Sequence, residues 1–210
     1  MLRGMNVRAS TILRFWFGDT VLAEGGASDP AAAAKWFKKD AAFDEEIRAK
    51  FSQDIQRARR GEYDAWPSEP PTEKGALALV VLCDQLPRNV FRDDPDAFAL
   101  DMRALVVTRG GLAYGVDKRL SLLERYVFAM PLMHAEDREV QQQSLRTFAE
   151  LKADAAGTPI EELATKALDY AERHAKIIER FGRYPHRNDL LGRSSTEEEL
   201  DFLKQPGSSF

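Results

Sequence analysis

Cysteine is nearly absent from this chain of 210 residues, and histidine is scarce: there are one cysteine, Cys83, and three histidines. A single cysteine excludes an intramolecular disulfide and a cysteine-based metal cluster within one chain. No stretch approaches the roughly 20 apolar residues of a membrane helix, and residues 1–10 lack the apolar core of a signal peptide. We therefore expect a cytoplasmic protein without a membrane partner, in which Cys83 is a buried thiol.

Neither sign of charge is in large excess. The chain has 30 Lys and Arg residues against 34 Asp and Glu residues, a net charge of −4, whereas nucleic-acid-binding domains are usually basic. The glycine-rich phosphate loops, the Gly-x-Ser-x-Gly elbow and the His-Glu-x-x-His zinc motif do not occur. The sequence thus predicts no nucleic-acid partner and no cofactor, although clustered arginines can still form a positive pocket on a mildly acidic protein.

Hydrophobic residues recur at helical spacing, and the strict alternation that is typical of half-buried strands does not occur. After Asp40, for example, apolar residues fall at every fourth position from 43 to 55, among charged and amide residues. Hydrophobic residues make up 44% of the chain, which is enough for a packed interior. We predict an all-α protein, one domain spanning residues 1–210, with eight or nine helices in antiparallel hairpins.

Proline, glycine and capping residues predict where the helices begin and end. Ser10 is expected to cap the first helix, and Asp29-Pro30 is typical of a helix start with proline at the first helical position. Pro87 and Pro131 each follow an apolar run. Because proline removes a helical hydrogen bond and clashes with the preceding turn, we expect both prolines to end their helices.

Two segments that follow apolar helical patterns are rich in arginine. Residues 84–92 contain two arginines and residues 180–196 contain four, and each segment has an Arg-Asn pair shortly after a proline. Guanidinium groups beside helix ends are suited to bind carboxylate or phosphate oxygens in pairs. We therefore predict a polar pocket for a small anion or an acidic peptide end. Its predicted residues are Asp84, Arg88, Asn89, Arg92, Arg183, His186, Arg187, Asn188 and Arg193.

The same arginines also have a structural interpretation. Arginines near a helix C-terminus are stabilised by its free carbonyl groups, and nearby acidic residues could pair with them as a network. These acidic residues are Asp84, Asp93, Asp94 and Glu136. The convergence of the two segments in space is inferred only from their similarity, so pocket and network both stay open.

A third polar group, His134, Glu136 and Asp137, follows the apolar run before Pro131. Because histidine titrates near neutrality, His134 could act as a general base, with Glu136 or Asp137 orienting its ring. Alternatively, the two acidic residues only favour the N-terminus of the next helix. The His-x-Glu spacing occurs in zinc deaminases, but these also need a Cys-x-x-Cys element, which one cysteine excludes. We predict no metal site.

The other two histidines are assigned different environments. His186 lies between Pro185 and Arg187, and neighbouring arginines should make its ring harder to protonate. His174 falls at a core-facing position of a predicted helix, where we expect a partly buried histidine with a satisfied hydrogen bond.

Several motifs together resemble a bacterial family of unknown function, catalogued as domain of unknown function 924. The matching segments are Ile12–Gly18, Trp36-Phe37, Asp84–Arg92, Pro131–Asp137, Phe181–Arg193 and Pro206–Phe210. They cover nearly the whole chain, and one departure is Ala135, where a serine is common in the family. The resemblance implies a helical fold related to tetratricopeptide-repeat proteins. It carries over no catalytic residues, because none are established for the family.

Three functions are compatible with these observations. In the first, the pocket binds a small anion or an acidic peptide, and Asp84 and Glu136 hold its arginines in place. The arginines that would hold the anion are Arg88, Arg92, Arg187 and Arg193. In the second, the protein is a hydrolase of phosphate- or carboxylate-bearing substrates, with His134 as the base. In the third, it is a helical scaffold that docks a protein partner through a groove.

Overall fold

The computed structural model describes residues 5–22, 33–36, 38–70 and 72–209, and all regular structure in these ranges is helical. The α-helices are α1 (Val7–Phe17), α2 (Ala33–Trp36), α3 (Ala41–Arg59), α4 (Thr72–Val80), α5 (Leu86–Val90), α6 (Asp101–Ala113), α7 (Leu122–His134), α8 (Arg138–Asp154), α9 (Glu161–Phe181) and α10 (Glu197–Leu203). Within the described ranges, eight of them contain seven residues or more, in agreement with the prediction. The predicted helix start at Asp29-Pro30 lies outside the described residues, as do Phe37 and Phe210.

Helix α4 lies at the centre of the packing. It contacts α1, α6 and α7, and every residue from Gly75 to Val80 is buried. Helices α7, α8 and α9, which follow one another in sequence, also pack together. One hydrophobic cluster includes residues from α1 through α9, so most of the helices share the core that surrounds α4.

The prediction that Pro87 ends its helix is wrong. Residues Val81–Gln85 form a π-helical turn that joins α4 directly to α5, which contains Pro87. Leu86 donates its N–H to the carbonyl of Val81, five residues earlier. This wider turn relieves the clash that a proline ring makes with the carbonyl four residues before it in a regular α-helix. The polar residues at 84 and 85 are thereby carried into the interior.

The prediction for Pro131 is also wrong, because α7 continues through it to His134. The last turn of α7 is held from outside by the buried side chain of Gln141 on α8. Its amide nitrogen lies 3.2 Å from the carbonyl oxygen of Leu132 and 3.0 Å from that of Met133. Carbonyl groups at a helix end need such partners when they are buried.

The first helix begins earlier than predicted. Asn6, and not Ser10, is its N-cap, since the Asn6 side chain accepts hydrogen bonds from the N–H groups of Arg8 and Ala9. Ser10 lies inside α1, where its hydroxyl donates to the carbonyl of Val7. Ser10 and Asn6 are both good capping residues, so residue type alone does not decide which of them caps α1.

Candidate functional site

A buried carboxylate, Asp84, lies at the centre of the polar residues that the sequence singles out. It belongs to the π-turn and is fully buried. Its Oδ1 atom lies 2.7 Å from Nδ1 of His134, and its Oδ2 atom accepts a hydrogen bond from Nε2 of Gln85 at 2.5 Å. Buried charges are costly unless they are paired, and these contacts compensate Asp84. π-Turns within helices are frequent at functional sites.

The two arginine segments meet at a second carboxylate, Asp101, at the start of α6. Arg88 binds both oxygens of Asp101, at 2.9 and 3.0 Å, and also donates to the backbone carbonyl of Asp84 at 2.5 Å. Arg187 reaches Asp101 with one long contact, from Nη1 to Oδ2 at 3.5 Å. Asp84, Arg88, Asp101, His134 and Arg187 therefore form one unit, called here the Asp84 cluster.

Arg187 is the least compensated member of the Asp84 cluster. Its side chain is 9% exposed, and its guanidinium carbon lies 4.6 Å from the ring centroids of both Phe98 and Tyr184. Among the described residues, its buried Nε atom has no hydrogen-bond partner. Burial and the positive charge of Arg88 hold the pKa of Arg187 below its ordinary value, despite the opposing effect of Asp101. The site thus contains a buried cation with unused donor capacity.

His134 is held as a neutral base by its neighbours. Burial and the charge of Arg88 lower its pKa, and together they outweigh the raising effect of Asp84. Burial alone would raise the pKa of Asp84, but Arg88 and His134 hold it below its ordinary value, so this carboxylate is ionised. An ionised carboxylate can only accept, and His134 must therefore donate from Nδ1. That arrangement leaves Nε2 as the acceptor of the ring.

A layer of buried polar residues lies behind His134. The ring of His174 on α9 is 6.3 Å from that of His134 and 5.5 Å from that of Tyr184. Tyr184 donates its hydroxyl to the carbonyl of Met133 at 2.6 Å. The Nδ1 atom of His174 lies 2.8 Å from the carbonyl oxygen of Tyr170, and burial lowers the pKa of His174 to about 3. The prediction of a buried, hydrogen-bonded histidine at 174 is confirmed.

Glu136 and Arg193 form an ion pair beside the Asp84 cluster. Arg193 binds both carboxylate oxygens of Glu136, at 2.5 and 2.9 Å, and Glu136 also accepts the backbone N–H of Tyr184 at 2.8 Å. Glu136 is therefore engaged with Arg193, while the carboxylate that contacts His134 is Asp84. Asp137 caps α8 by accepting the N–H of Val140 at 2.9 Å. Its role is therefore at the N-terminus of this helix, the alternative to orienting the His134 ring.

His186 is also neutral at pH 7. Burial is the main cause that lowers its pKa, to about 4, and Arg187 is the second. The expected influence of neighbouring arginine is therefore present, but it is the smaller of the two effects.

Four of the predicted ligand residues bind elsewhere in the structure: Asn89, Arg92, Arg183 and Asn188. The first two contact the carboxylate of Asp44 on α3, each at 2.8 Å. The last two contact Glu199 on α10, at 2.7 and 3.3 Å. These four residues join separate helices through ion pairs and hydrogen bonds, so the arginine segments are in part a structural network.

Sequence reasoning missed Asp101, Phe98 and Tyr184. In the structure Phe98 belongs to a short 3₁₀ turn, Pro95–Phe98, and Asp101 begins α6. An aspartate is a common residue in the first turn of a helix, so nothing marked Asp101 as special. Of these three residues, only Tyr184 lies in a segment that the sequence singles out, the second arginine segment.

One edge of the Asp84 cluster is open to solvent, with the side chains of Arg88 and Asp101 exposed by 23% and 19%. A cavity of about 750 Å³ lies elsewhere, beside α4 and α6, and the residues that line it include none of the predicted site residues. Within the described ranges, no group of three or more His, Cys, Asp or Glu residues is arranged to hold a metal. No helix in those ranges is both long and apolar enough to cross a bilayer.

Comparison with known proteins gives a family but no activity. No curated protein matches the chain. A solved structure from Agrobacterium tumefaciens, described as the protein of unknown function ATU0120, is similar with a TM-score of 0.75 and 35% identity. The match covers 93% of this chain and 96% of that one. The sequence model described as bacterial protein of unknown function (DUF924) matches residues 12–207. The resemblance seen in the motifs is thereby confirmed, and the chain belongs to the DUF924 family.

Proposed function

We propose that this protein binds a small molecule that carries a carboxylate or phosphate group, through Arg187 at the edge of the Asp84 cluster. The observation that carries the proposal is the incomplete pairing of Arg187, which is 9% exposed and makes a single hydrogen bond of 3.5 Å within the described residues. By contrast, Arg88 and Arg193 each bind a carboxylate with two nitrogens. We place the protein in the cytoplasm, in keeping with its single, buried, free cysteine.

The charges of the Asp84 cluster support an anionic ligand. Two guanidiniums lie among two carboxylates, but Arg88 engages both carboxylates closely, so Arg187 receives little of their negative charge. An anion bound to Arg187 would supply hydrogen bonds to a guanidinium that has already lost its water. The rings of Phe98 and Tyr184 flank the guanidinium, and a planar guanidinium matches a planar or forked ligand such as a carboxylate.

A thermal-shift screen with nucleotides, sugar phosphates, dicarboxylates and acidic peptides tests this proposal. A ligand at a hundred times its dissociation constant stabilises the folded protein by about 2.7 kcal/mol. In a protein of this size, that corresponds to a rise in Tm of about 5–10 °C. Arg187→Met removes the charge and keeps the stem, so the rise should disappear. Arg92→Met is the matched control, because Arg92 pairs with Asp44 on α3, and it should keep the response.

The stability of the unliganded Arg187→Met protein separates this proposal from a structural network. Because Asp101 keeps its two bonds to Arg88, the substitution should change the free energy of unfolding by less than about 1 kcal/mol. A loss of about 3–5 kcal/mol, the usual cost of breaking a buried ion pair, together with a screen in which nothing raises Tm, would reject ligand binding. A helical scaffold for a protein partner would then be the better interpretation.

The contact between Asp84 and His134 favours a second candidate function, hydrolysis. Asp84 fixes the His134 ring so that Nε2 can accept a proton from a water molecule that attacks a carbonyl or phosphoryl centre. In this candidate Asp84 is a positioning residue and Arg187 binds the charged part of the substrate. The general-base role is thereby moved from a pairing with Glu136 or Asp137 to a pairing with Asp84.

Turnover of p-nitrophenyl phosphate and p-nitrophenyl acetate tests the hydrolase candidate. His134→Gln should abolish any activity of the wild-type protein while Tm stays within a few degrees. Asp84→Asn should lower kcat and change its pH profile, because the amide can present either a donor or an acceptor to Nδ1. If the wild-type protein turns over neither ester, or His134→Gln keeps full activity, this candidate fails and anion binding stands on its own test.

A further inference from the structure

The cavity of about 750 Å³ beside α6 is lined by none of the five residues of the Asp84 cluster. Six of its nine lining residues are apolar, and two of these are strongly exposed: Met102 by 69% and Val106 by 64%. The apolar lining residues are Leu79, Ala99, Leu100, Met102, Val106 and Val107. Met102 and Val106 are four residues apart on α6 and so share one face of the helix. The volume falls in the range of small-molecule pockets, roughly 300–1,000 Å³.

The charged residues that line this cavity are Arg59, Asp64 and Arg103. Arg103 pairs with Asp64. Arg59 lies 2.9 Å from Asp96 through Nη2, yet neither its Nε nor its Nη2 atom makes a hydrogen bond to a described residue. Two arginine side chains therefore flank an exposed apolar surface, each a little over a quarter exposed as a whole, although Nε and Nη2 of Arg59 are buried.

We propose that this cavity binds a small anionic amphiphile, a molecule with an apolar chain and one carboxylate. The chain would cover Met102 and Val106, which removes apolar surface from water. The carboxylate would lie between Arg59 and Arg103, whose planar guanidiniums match its geometry. A cationic head group in the same place would be repelled by both arginines.

Calorimetric titration with decanoate, kept below its micellar concentration, tests the proposal. Decanoate should bind saturably and at least tenfold more tightly than nonyltrimethylammonium, which has the same nine-carbon chain and the opposite charge. Octanoate should bind more weakly by about fourfold for each methylene removed. Butyrate, which has the carboxylate and almost no chain, should not bind.

Three variants locate the binding. Val106→Asp places a negative charge on the apolar surface and should abolish decanoate binding. Arg103→Met should weaken binding by tenfold or more. Leu200→Asp is the matched control, since Leu200 is 50% exposed on α10 and does not line the cavity, and it should bind as the wild-type protein does. Circular dichroism checks that each variant is folded.

The proposal is rejected if decanoate does not bind, if both head groups bind equally, or if Val106→Asp binds undiminished. Equal binding of both head groups would mean that only the apolar surface is recognised, as expected of a docking face for a protein helix. Arg187 does not line this cavity, so Arg187→Met should keep decanoate binding, and the two proposed sites can fail separately.

Discussion

At the scale of single residues, the two arginines around Asp101 differ in what they gain from it. Arg88 binds Asp101 through two short hydrogen bonds, and the pKa of Arg88 is raised because Asp84 and Asp101 outweigh its burial. Arg187 has one long contact, and its pKa is lowered. Two arginines beside one carboxylate thus have pKa values that are shifted in opposite directions. Because Arg187 is the less compensated of the two, it is the residue that we propose to bind a ligand.

Buried neutral histidines should make the protein sensitive to mild acid. An unfolded histidine has a pKa of about 6.5, whereas His174 has a folded pKa of about 3. As the pH falls from 7 to 5, the unfolded state takes up the proton first, so the free energy of unfolding falls by about 2 kcal/mol for this residue. The loss continues until the pH approaches the folded pKa. In Tm, the change between pH 7 and 5 corresponds to about 4–8 °C.

The variant His174→Asn isolates this effect. His134 and His186 also have lowered pKa values and titrate in both proteins, so the quantity to compare is the change in Tm between pH 7 and 5. That change should be smaller in the variant by about 4–8 °C, even if the variant is less stable at both pH values. An equal change in the two proteins would mean that His174 is protonated in the folded state.

The sequence was enough to identify most residues of the candidate site, but not the residues that they contact. The arginine segments, His134 and Glu136 were all singled out, and the structure brings Arg88, Arg187 and His134 into one cluster. The partner Asp101 was missed because the pairing of an arginine at 187 with an aspartate at 101 depends on how α6 packs. The residues around each of these positions do not indicate how the helices pack.

At the scale of helices, the contact between α4 and the 3₁₀ turn at Trp66–Ser68 depends on a glycine. A Cβ atom at Gly75 would overlap the backbone carbonyl of Trp66. Alanine is favoured over glycine in a helix by about 1 kcal/mol, but the overlap should dominate. Gly75→Ala should therefore lower the free energy of unfolding by about 1–3 kcal/mol, as measured by urea denaturation.

Gly110→Ala provides the comparison for that experiment. Gly110 is an exposed helical residue of α6, and a Cβ atom built there meets nothing within 4 Å. The same substitution should raise the free energy of unfolding by about 0.5–1 kcal/mol at this position. If Gly75→Ala raised the free energy of unfolding as Gly110→Ala is expected to do, the close approach of α4 to Trp66 would be wrong.

The end of α7 depends on the side chain of Gln141. Its amide nitrogen lies near the carbonyl oxygens of Leu132, Met133 and Ala135, at distances of 2.7–3.2 Å. Gln141→Leu leaves these carbonyls without that donor, so the free energy of unfolding should fall by about 1–3 kcal/mol. The neighbouring exposed Gln142 is the control, and Gln142→Leu should stay within about 0.5 kcal/mol of the wild type. A Gln141→Leu protein as stable as this control would contradict the assigned role.

Several helix boundaries carry a capping signal in the sequence, although at α1 the cap is Asn6 and not the predicted Ser10. Asp40 caps α3, the capping box of Thr196 and Glu199 begins α10, and Gly182 ends α9 in the left-handed conformation with φ of 71°. The two proline predictions failed for a different reason. Pro87 is accommodated by the π-turn that precedes it, and the helical turn that follows Pro131 is held by the side chain of Gln141, which lies on another helix.

At the scale of the whole molecule, the shared core leads to a calorimetric prediction. One hydrophobic cluster includes residues from α1 to α9, so we propose that the chain is one domain and unfolds in one transition. At about 0.7 kcal/mol per residue, the calorimetric enthalpy near 60 °C should be about 150 kcal/mol and should equal the van't Hoff enthalpy. Two transitions, or a calorimetric enthalpy well above the van't Hoff value, would show separate units.

The fold class and the family were both predictable from the sequence, because helical periodicity and the family motifs extend along the chain. The structure confirms the all-helical class, and the family match covers residues 12–207. The relation to tetratricopeptide-repeat proteins stays a prediction. Which helices would be neighbours was not predictable, since many arrangements of amphipathic helices bury the same apolar faces.

The position of Cys83 makes it possible to measure how fast the π-turn opens. Cys83 directly precedes Asp84, is fully buried, and has its pKa raised to about 12 by burial. Only an accessible thiolate attacks a disulfide reagent, so the rate at which Cys83 reacts measures how often this segment opens. The natural protein therefore contains a thiol beside its candidate site that reports on local opening. A ligand that closes the Asp84 cluster should slow the reaction of this thiol, and the experiment needs no label or mutation.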